Sequence, residues 1–150
     1  MFAAIGLDHG HIYGMTNGLL EAGATLKWVY DPDPEKVAAY RKAYPQAAAA
    51  DSEARILEDP EVKLVAGACV TGDRAALGIR VMKAGKDYFT DKAPLISLEQ
   101  LDAAKAAVRE TGRKYMVCFS ERLQSESAVY AGQLIEQGAI GRVLQVLGMG

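Results

Sequence analysis

Hydrophobic residues along this chain change their spacing in a regular way: short unbroken apolar runs alternate with longer stretches in which apolar positions recur every three or four residues. Phe2 to Leu7 is the first unbroken run, of strand length, and Asp8-His9-Gly10 interrupts it with turn-forming residues. From Ile12 the period becomes helical. Ile12, Met15, Leu19 and Leu20 share a face, which predicts a helix opening near His11 and stopping at Gly23. Ala24 to Tyr30 has the β-branched and aromatic content of a second strand. Asp33 then stands where it caps a helix that begins at Pro34, carries Val37, Tyr40 and Tyr44 on one face, and stops at Pro45.

Gln46 to Ala50 reads as either a short third strand or a linker, and a helical piece follows from Asp51 through Leu57. Val62 to Val70 is nearly all small and β-branched apolar residues, the pattern of a central strand buried on both faces. The alternation then repeats with a helix through Leu77, Ile79, Val81 and Met82 and a short strand at Asp87 to Thr90. A helix opened by the capping box of Ser97 and Gln100 comes next, then a strand at Lys114 to Phe119. A helix over Ser125 to Gln137 and a strand-like run at Arg142 to Leu147 complete the series. Strands alternating with helices at this spacing predict βαβ units, and so an α/β protein with a doubly wound parallel sheet.

Composition narrows the partners. Half of the 150 residues are hydrophobic, enough for one core, and the net charge of −2 comes without any Lys/Arg cluster interleaved with aromatics. Nucleic acid is therefore not expected as a partner. No apolar run approaches the roughly 20 residues of a spanning helix, and no secretory leader pattern opens the chain, so no membrane is expected and a cytoplasmic location is. Cys69 and Cys118 each sit inside an apolar run, which suits two reduced core thiols better than a disulfide.

In a doubly wound sheet ligands bind beyond the carboxyl ends of the strands. That directs attention to the loops Asp8 to His11, Asp31 to Asp33, Thr71 to Arg74 and Asp91 to Pro94. The helix start near His11 offers unpaired amides and the positive end of a dipole, a natural anion site. Asp31 follows Asp8 by 23 residues, close to the roughly 20 that separate a phosphate loop from a ribose-binding carboxylate. An acidic side chain there accepts from both ribose hydroxyls and repels a 2′-phosphate, favouring NAD over NADP. The alternative is that Asp31 simply opens an Asp-Pro turn.

A G-x-G-x-x-G placed on residues 8, 10 and 13 meets Asp8, Gly10 and Tyr13, so only the middle glycine is present. Asp8 is then free to cap the helix itself, putting a carboxylate where a phosphate belongs. His9 and His11 flank Gly10. With no third ligand nearby in sequence, the pair reads as hydrogen bonding to a cofactor or substrate, or as turn packing, and no metal is assigned. Lys92 either projects its ammonium over the cleft or pairs with Asp91 as a solvated loop lysine.

The order F-A-A-I-G-L-D-H-G-H-I, W-V-Y-D-P-D-P-E, A-G-K-D-Y-F-T-D-K-A-P-L and G-A-I-G-R-V, spread over the whole chain, resembles the glucose-fructose oxidoreductase, inositol dehydrogenase and MocA-type oxidoreductases. That resemblance implies an N-terminal Rossmann domain for NAD or NADP and a C-terminal α/β domain for substrate and dimer contacts. It also implies hydride transfer with sugars, cyclitols or related polyols. Asp91-Lys92 with Pro94 stands for the family's Glu-Lys-Pro, with Ala93 as an extra residue, and Lys92 for the lysine lining nicotinamide and substrate. Asp31 matches the ribose carboxylate, and Gly10-His11-Ile12 the phosphate-loop turn. Cys69-Val70-Thr71 and Arg74 stand where Thr-Pro-Asn and a histidine are frequent, and Ser120-Glu121-Arg122 where an Asn-Arg-Arg type sequence is common. The cofactor-contacting set is thus expected to be Asp8, Gly10, His11, Ile12, Asp31, Thr71, Asp91 and Lys92.

The same resemblance places a Rossmann domain over residues 1–122 and, over 123–150, a helix and the first strand of a second domain that this chain lacks. Two expectations follow. Without the second domain's Asp and His the chain binds a dinucleotide but does not turn over a sugar efficiently alone. The terminal run with Val143, Leu144, Val146 and Leu147 is an unpaired apolar edge, for which either self-association into a homo-oligomer or disorder of this tail is expected. A non-catalytic binding or assembly module that has lost dinucleotide affinity through Asp8 and Tyr13 is the rival reading.

Overall fold

The computed structural model describes residues 1–147, and of residues 123 and 124 only the backbone. Six strands form one parallel sheet in the order β3-β2-β1-β4-β5-β6. They are β1 (Phe2–Ile5), β2 (Leu26–Tyr30), β3 (Ala48–Ala49), β4 (Leu64–Gly67), β5 (Asp87–Asp91) and β6 (Tyr115–Cys118). Between them run α1 (His11–Glu21), α2 (Pro34–Ala43), α3 (Glu53–Leu57), α4 (Arg74–Lys83, entered through a 3-10 turn at Thr71–Asp73) and α5 (Leu98–Thr111). The chain winds outward from β1 in one direction and restarts at β4 in the other, so the topological switch point lies between β1 and β4.

β1 sits at the centre because both of its faces are apolar. Phe2 and Ala4 join Ile12, Met15, Leu26, Val29 and Tyr40 in one core layer. Ala3 and Ile5 point the other way, into a layer with Ile56, Val65, Leu77, Val81 and Tyr88. Tyr40 is fully buried, its hydroxyl 2.6 Å from Thr16 Oγ1, and burial pushes its phenol well above the usual tyrosine range. At the amino end of the strands the buried Lys86 donates to the carbonyls of Asp59 (2.7 Å) and Val62 (3.0 Å). Burial pulls its pKa down. Trp28 Nε1 also donates to Asp59 Oδ2 at 2.7 Å. These contacts lock the end of the sheet away from the ligand face and leave the carboxyl ends for chemistry.

Helix starts follow the sequence signals. Asp33 Oδ1 accepts from Glu35 N at 2.9 Å and Ser97 Oγ from Gln100 N at 3.2 Å. β4 is shorter than the apolar run Val62 to Val70 suggests. Beyond Gly67 the chain leaves the ladder, and Ala68 and Cys69 use their burial beneath the loop after β1 instead.

The described chain divides into two compact units, Met1–Cys118 and Phe119–Gly150. The second holds α6 (Ser120–Gln124), which the sequence pattern did not suggest, and α7 (Glu126–Glu136). The expected strand over Arg142 to Leu147 is not formed; those residues have no regular structure. A strand exists only through a partner's ladder, and the other elements of this unit are helices. Among the described residues no helix is long and apolar enough to cross a membrane.

Candidate functional site

The site is built on the turn that ends β1. Gly6 has φ +77°, a region closed to side chains in practice, and a Cβ there would lie 2.7 Å from Cys69 Cβ. The following loop is pinned on three sides: Gly6 N donates to Tyr30 O (3.2 Å), Leu7 N to Asp31 Oδ2 (2.7 Å) and His9 N to Ala68 O (3.0 Å). Gly6 therefore plays the part of the first glycine of a G-x-G-x-x-G, the one required for the tight turn off the strand. Counted from it, the second position is Asp8 and the third His11. This corrects the register of 8, 10 and 13, which was anchored on Gly10 rather than on the strand end. Gly10 has ordinary helical φ of −59° and nothing within 4 Å of where its Cβ would be.

Gly10 is the N-cap of α1 and no side chain caps it, so the expectation that Asp8 caps this helix is also corrected. Asp8 turns away from the helix end. Its Oδ2 accepts from Val70 N at 3.0 Å and its Oδ1 from Lys36 Nζ at 2.5 Å. The hydrogen bond from Lys36 holds the Asp8 carboxyl below its ordinary value, and the same bond raises the pKa of Lys36. A negative charge that would oppose a phosphate is thereby redirected and partly compensated. Ile12 is fully buried in the core, so it reaches the cleft only through its backbone. Tyr13 lies against Tyr40 and Tyr44, ring centroids 5.6 and 6.0 Å away, and does not enter the loop.

Asp31, at the end of β2, is buried, with its carboxylate divided between Leu7 N and Asp33 N (2.9 Å). Lys36 Nζ stands 4.0 Å from its Oδ1. A cleft of about 450 Å³ opens beside it, lined among others by Gly6, Asp8, Asp31, Lys36, Leu77 and Arg80. It sits at the switch point. Arg80 is held against Glu53 by two hydrogen bonds of 2.6 and 2.9 Å.

A second cluster gathers around Asp91, the last residue of β5 and almost wholly buried. Its Oδ1 accepts from Lys92 N (2.8 Å) and lies 2.9 Å from His11 Nδ1. Its Oδ2 meets Arg74 Nη2 at 3.2 Å and His9 Nδ1 at 3.5 Å. Arg74, also buried, donates as well to the carbonyls of Cys69 (2.7 Å) and Ala93 (3.2 Å). One guanidinium thus ties the loop after β4 to the loop after β5 and fixes the backbone that carries Lys92. The Lys92 side chain is half-buried there, and Thr71 is half-buried in the turn that enters α4. Sequence reasoning missed Gly6 and the interior role of Arg74. Gly6 was discoverable as the one glycine within the first apolar run, next to its end; Arg74 carried no local signal, since an arginine at a helix start is ordinarily solvated.

The fold and this ligand face define a dinucleotide-binding domain of the Rossmann type. Residues 3–119 match the profile of the glucose-fructose oxidoreductase, inositol dehydrogenase and MocA family, described as an oxidoreductase family with an NAD-binding Rossmann fold, and the chain belongs to it. Levoglucosan dehydrogenase of Pseudarthrobacter phenanthrenivorans is 27% identical over 155 residues, spanning 96% of this chain and 40% of that protein. A crystal structure from Erwinia carotovora atroseptica, assigned as an oxidoreductase, superposes with a TM-score of 0.92 at 46% identity, over 96% of this chain and 43% of that one. WlbA dehydrogenase of Bordetella pertussis, solved with NADH and UDP-GlcNAcA, shares the fold at a TM-score of 0.80 and 22% identity, over 94% and 40% of the two chains. The chain therefore spans about two fifths of the length of these relatives.

Proposed function

We propose that this chain binds NAD in preference to NADP and forms the cofactor half of an oxidoreductase that moves a hydride between nicotinamide and a sugar, cyclitol or related polyol. The observation that carries this reading is Asp31: a buried carboxylate at the end of β2, facing the switch-point cleft, with the phosphate-loop backbone hung on one of its oxygens. The residues fit the cofactor. The turn at Gly6 leaves no room for a side chain where the loop packs on Cys69. The cleft is of nucleoside size, and Asp31 keeps accepting capacity beyond its two backbone bonds.

Asp31 then accepts from the adenosine ribose, and the loop from Gly6 to His11 with the start of α1 receives the diphosphate. When bound, NAD supplies the hydride acceptor. Lys92, beside Asp91 and carried on backbone fixed by Arg74, neutralises a substrate oxygen or holds a proton near it. Relatives acting on sugars support the substrate class, and their greater length supports a second domain that completes proton transfer.

NADH fluorescence titrated against the chain tests the reading. Saturation is expected, with NADPH weaker, and absence of saturation at millimolar cofactor overturns it. One observation favours a second reading, a module without dinucleotide affinity: Asp8 occupies the second glycine position. Failure of the native chain to bind NADH together with binding by Asp8→Gly selects that alternative.

A further inference from the structure

His9, His11 and Asp91 come from the loop before α1, its first residue and the end of β5, and converge on one spot. One ligand atom from each lies within 4.8 Å of the others. His11 Nδ1 is 2.9 Å from Asp91 Oδ1 and His9 Nδ1 is 3.5 Å from Asp91 Oδ2. In a tetrahedral site with metal to nitrogen or oxygen bonds of roughly 2.0–2.2 Å, neighbouring ligand atoms stand about 3.3–3.6 Å apart. Modest side-chain adjustment brings the cluster to that spacing. We propose that His9, His11 and Asp91 form a three-ligand site for a zinc-class divalent metal ion, open to solvent on its histidine side. The site shares His11 and Asp91 with the expected cofactor-contacting set, so it is a property of the chain free of dinucleotide.

Two further features support it. His9 Nδ1 accepts the backbone N–H of His11 at 3.3 Å, so this nitrogen is unprotonated, and it gives up that long bond when its single lone pair turns to a metal. No hydrogen then lies between His9 Nδ1 and Asp91 Oδ2, 3.5 Å apart, and a cation can bridge them. The charge balance also selects the metal. Arg74 already offsets Asp91, so a hard ion that relies on carboxylate charge gains little, whereas zinc, cobalt or nickel gains from two imidazole nitrogens. Coordination through His11 Nδ1 moves its proton to Nε2, and the ring stays neutral. Both imidazoles are about half exposed, 52% for His9 and 41% for His11, so remaining coordination positions are open to solvent.

The test is a titration of the purified chain with Co²⁺ alone, read by its visible ligand-field absorption. The expected result is a band that saturates at one equivalent, is abolished by excess Zn²⁺ and is untouched by excess Mg²⁺. His9→Ala and His11→Ala, both at partly exposed positions and checked for folding by circular dichroism, are each expected to lose the band. Asp91→Asn is not relied on, because it also breaks the pairing with Arg74. No saturating band, a band that survives both histidine substitutions, or sulfur-to-cobalt charge transfer marking Cys69 or Cys118 as the ligand would overturn the proposal.

Discussion

Leu7 donates its backbone N–H to Asp31 Oδ2 at 2.7 Å, joining the loop after β1 to the end of β2. The carboxylate expected to read a ribose is also a strut for the phosphate loop. Asp31→Ala is therefore expected to act twice. Losing a charge-assisted hydrogen bond and stranding a buried amide destabilises the fold by about 2 kcal/mol, and NADH affinity falls at least about tenfold. Urea denaturation and fluorescence titration measure the two effects separately. A variant that loses affinity at full stability would show that the strut is dispensable.

The glycine register makes opposite forecasts for two neighbouring positions. Gly6→Ala places a Cβ 2.7 Å from Cys69 Cβ in a positive-φ turn and should destabilise by about 2–4 kcal/mol. Gly10→Ala meets nothing within 4 Å at φ −59° and should stay within about 0.5 kcal/mol of the parent. Thermal melts of the two variants decide whether the fingerprint starts at 6 or is centred on 10.

Asp8 carries the charge nearest the expected diphosphate path, compensated by Lys36. Asp8→Gly restores the second glycine and is expected to tighten NADH binding about tenfold, or about 1.4 kcal/mol. Lys36→Met in the parent chain should do the reverse, since it leaves the carboxylate uncompensated. Titrations of both variants at two ionic strengths test the electrostatic origin.

Arg74 pairs with Asp91 where both are buried, and it also holds the carbonyls of Cys69 and Ala93. Arg74→Ala should destabilise by about 3–5 kcal/mol. Arg74→Lys should not rescue, because a single ammonium cannot span three acceptors in a plane. Equilibrium unfolding of both variants gives the comparison.

Burial pushes the Cys69 thiol up to about 11 from an ordinary value of 9.0. A raised pKa means that the folded state prefers the protonated thiol. Its contribution to stability is complete below pH 9 and falls as pH rises toward 11. Cys69→Ala should flatten that part of the pH–stability curve, and iodoacetamide should label Cys69 slowly at neutral pH in the folded chain.

Much of this fold is legible in the residue pattern because its strands are covered on both faces. β1, β2 and the first half of the Val62 to Val70 run announce themselves as apolar segments, and Asp33 and Ser97 mark their helix starts by local chemistry. The site was only partly legible. Asp31, Asp91 and Lys92 stand at strand ends, where a doubly wound sheet puts ligands, so position alone flagged them. Gly6 was obscured by the more conspicuous Asp8-His9-Gly10 turn. The work of Arg74 depends on joining nearby Cys69 to Asp91 and Ala93 at the end of β5, seventeen and nineteen residues away, which no short sequence window contains. Arg142 to Leu147 failed as a strand because strand propensity without a pairing partner does not make one.

The position of Asp91 in the winding order bears on how this domain is made. β5 pairs with β4, which pairs with β1, so the four-way junction of Asp91 with His9, His11, Arg74 and Lys92 closes between residues as much as eighty positions apart. A nascent polypeptide that has emerged only as far as α4 has the residues of the early phosphate turn but no Asp91 carboxylate for either imidazole. The side-chain junction on this face therefore requires the fifth strand, whereas the cleft beside Asp31 draws nothing from it.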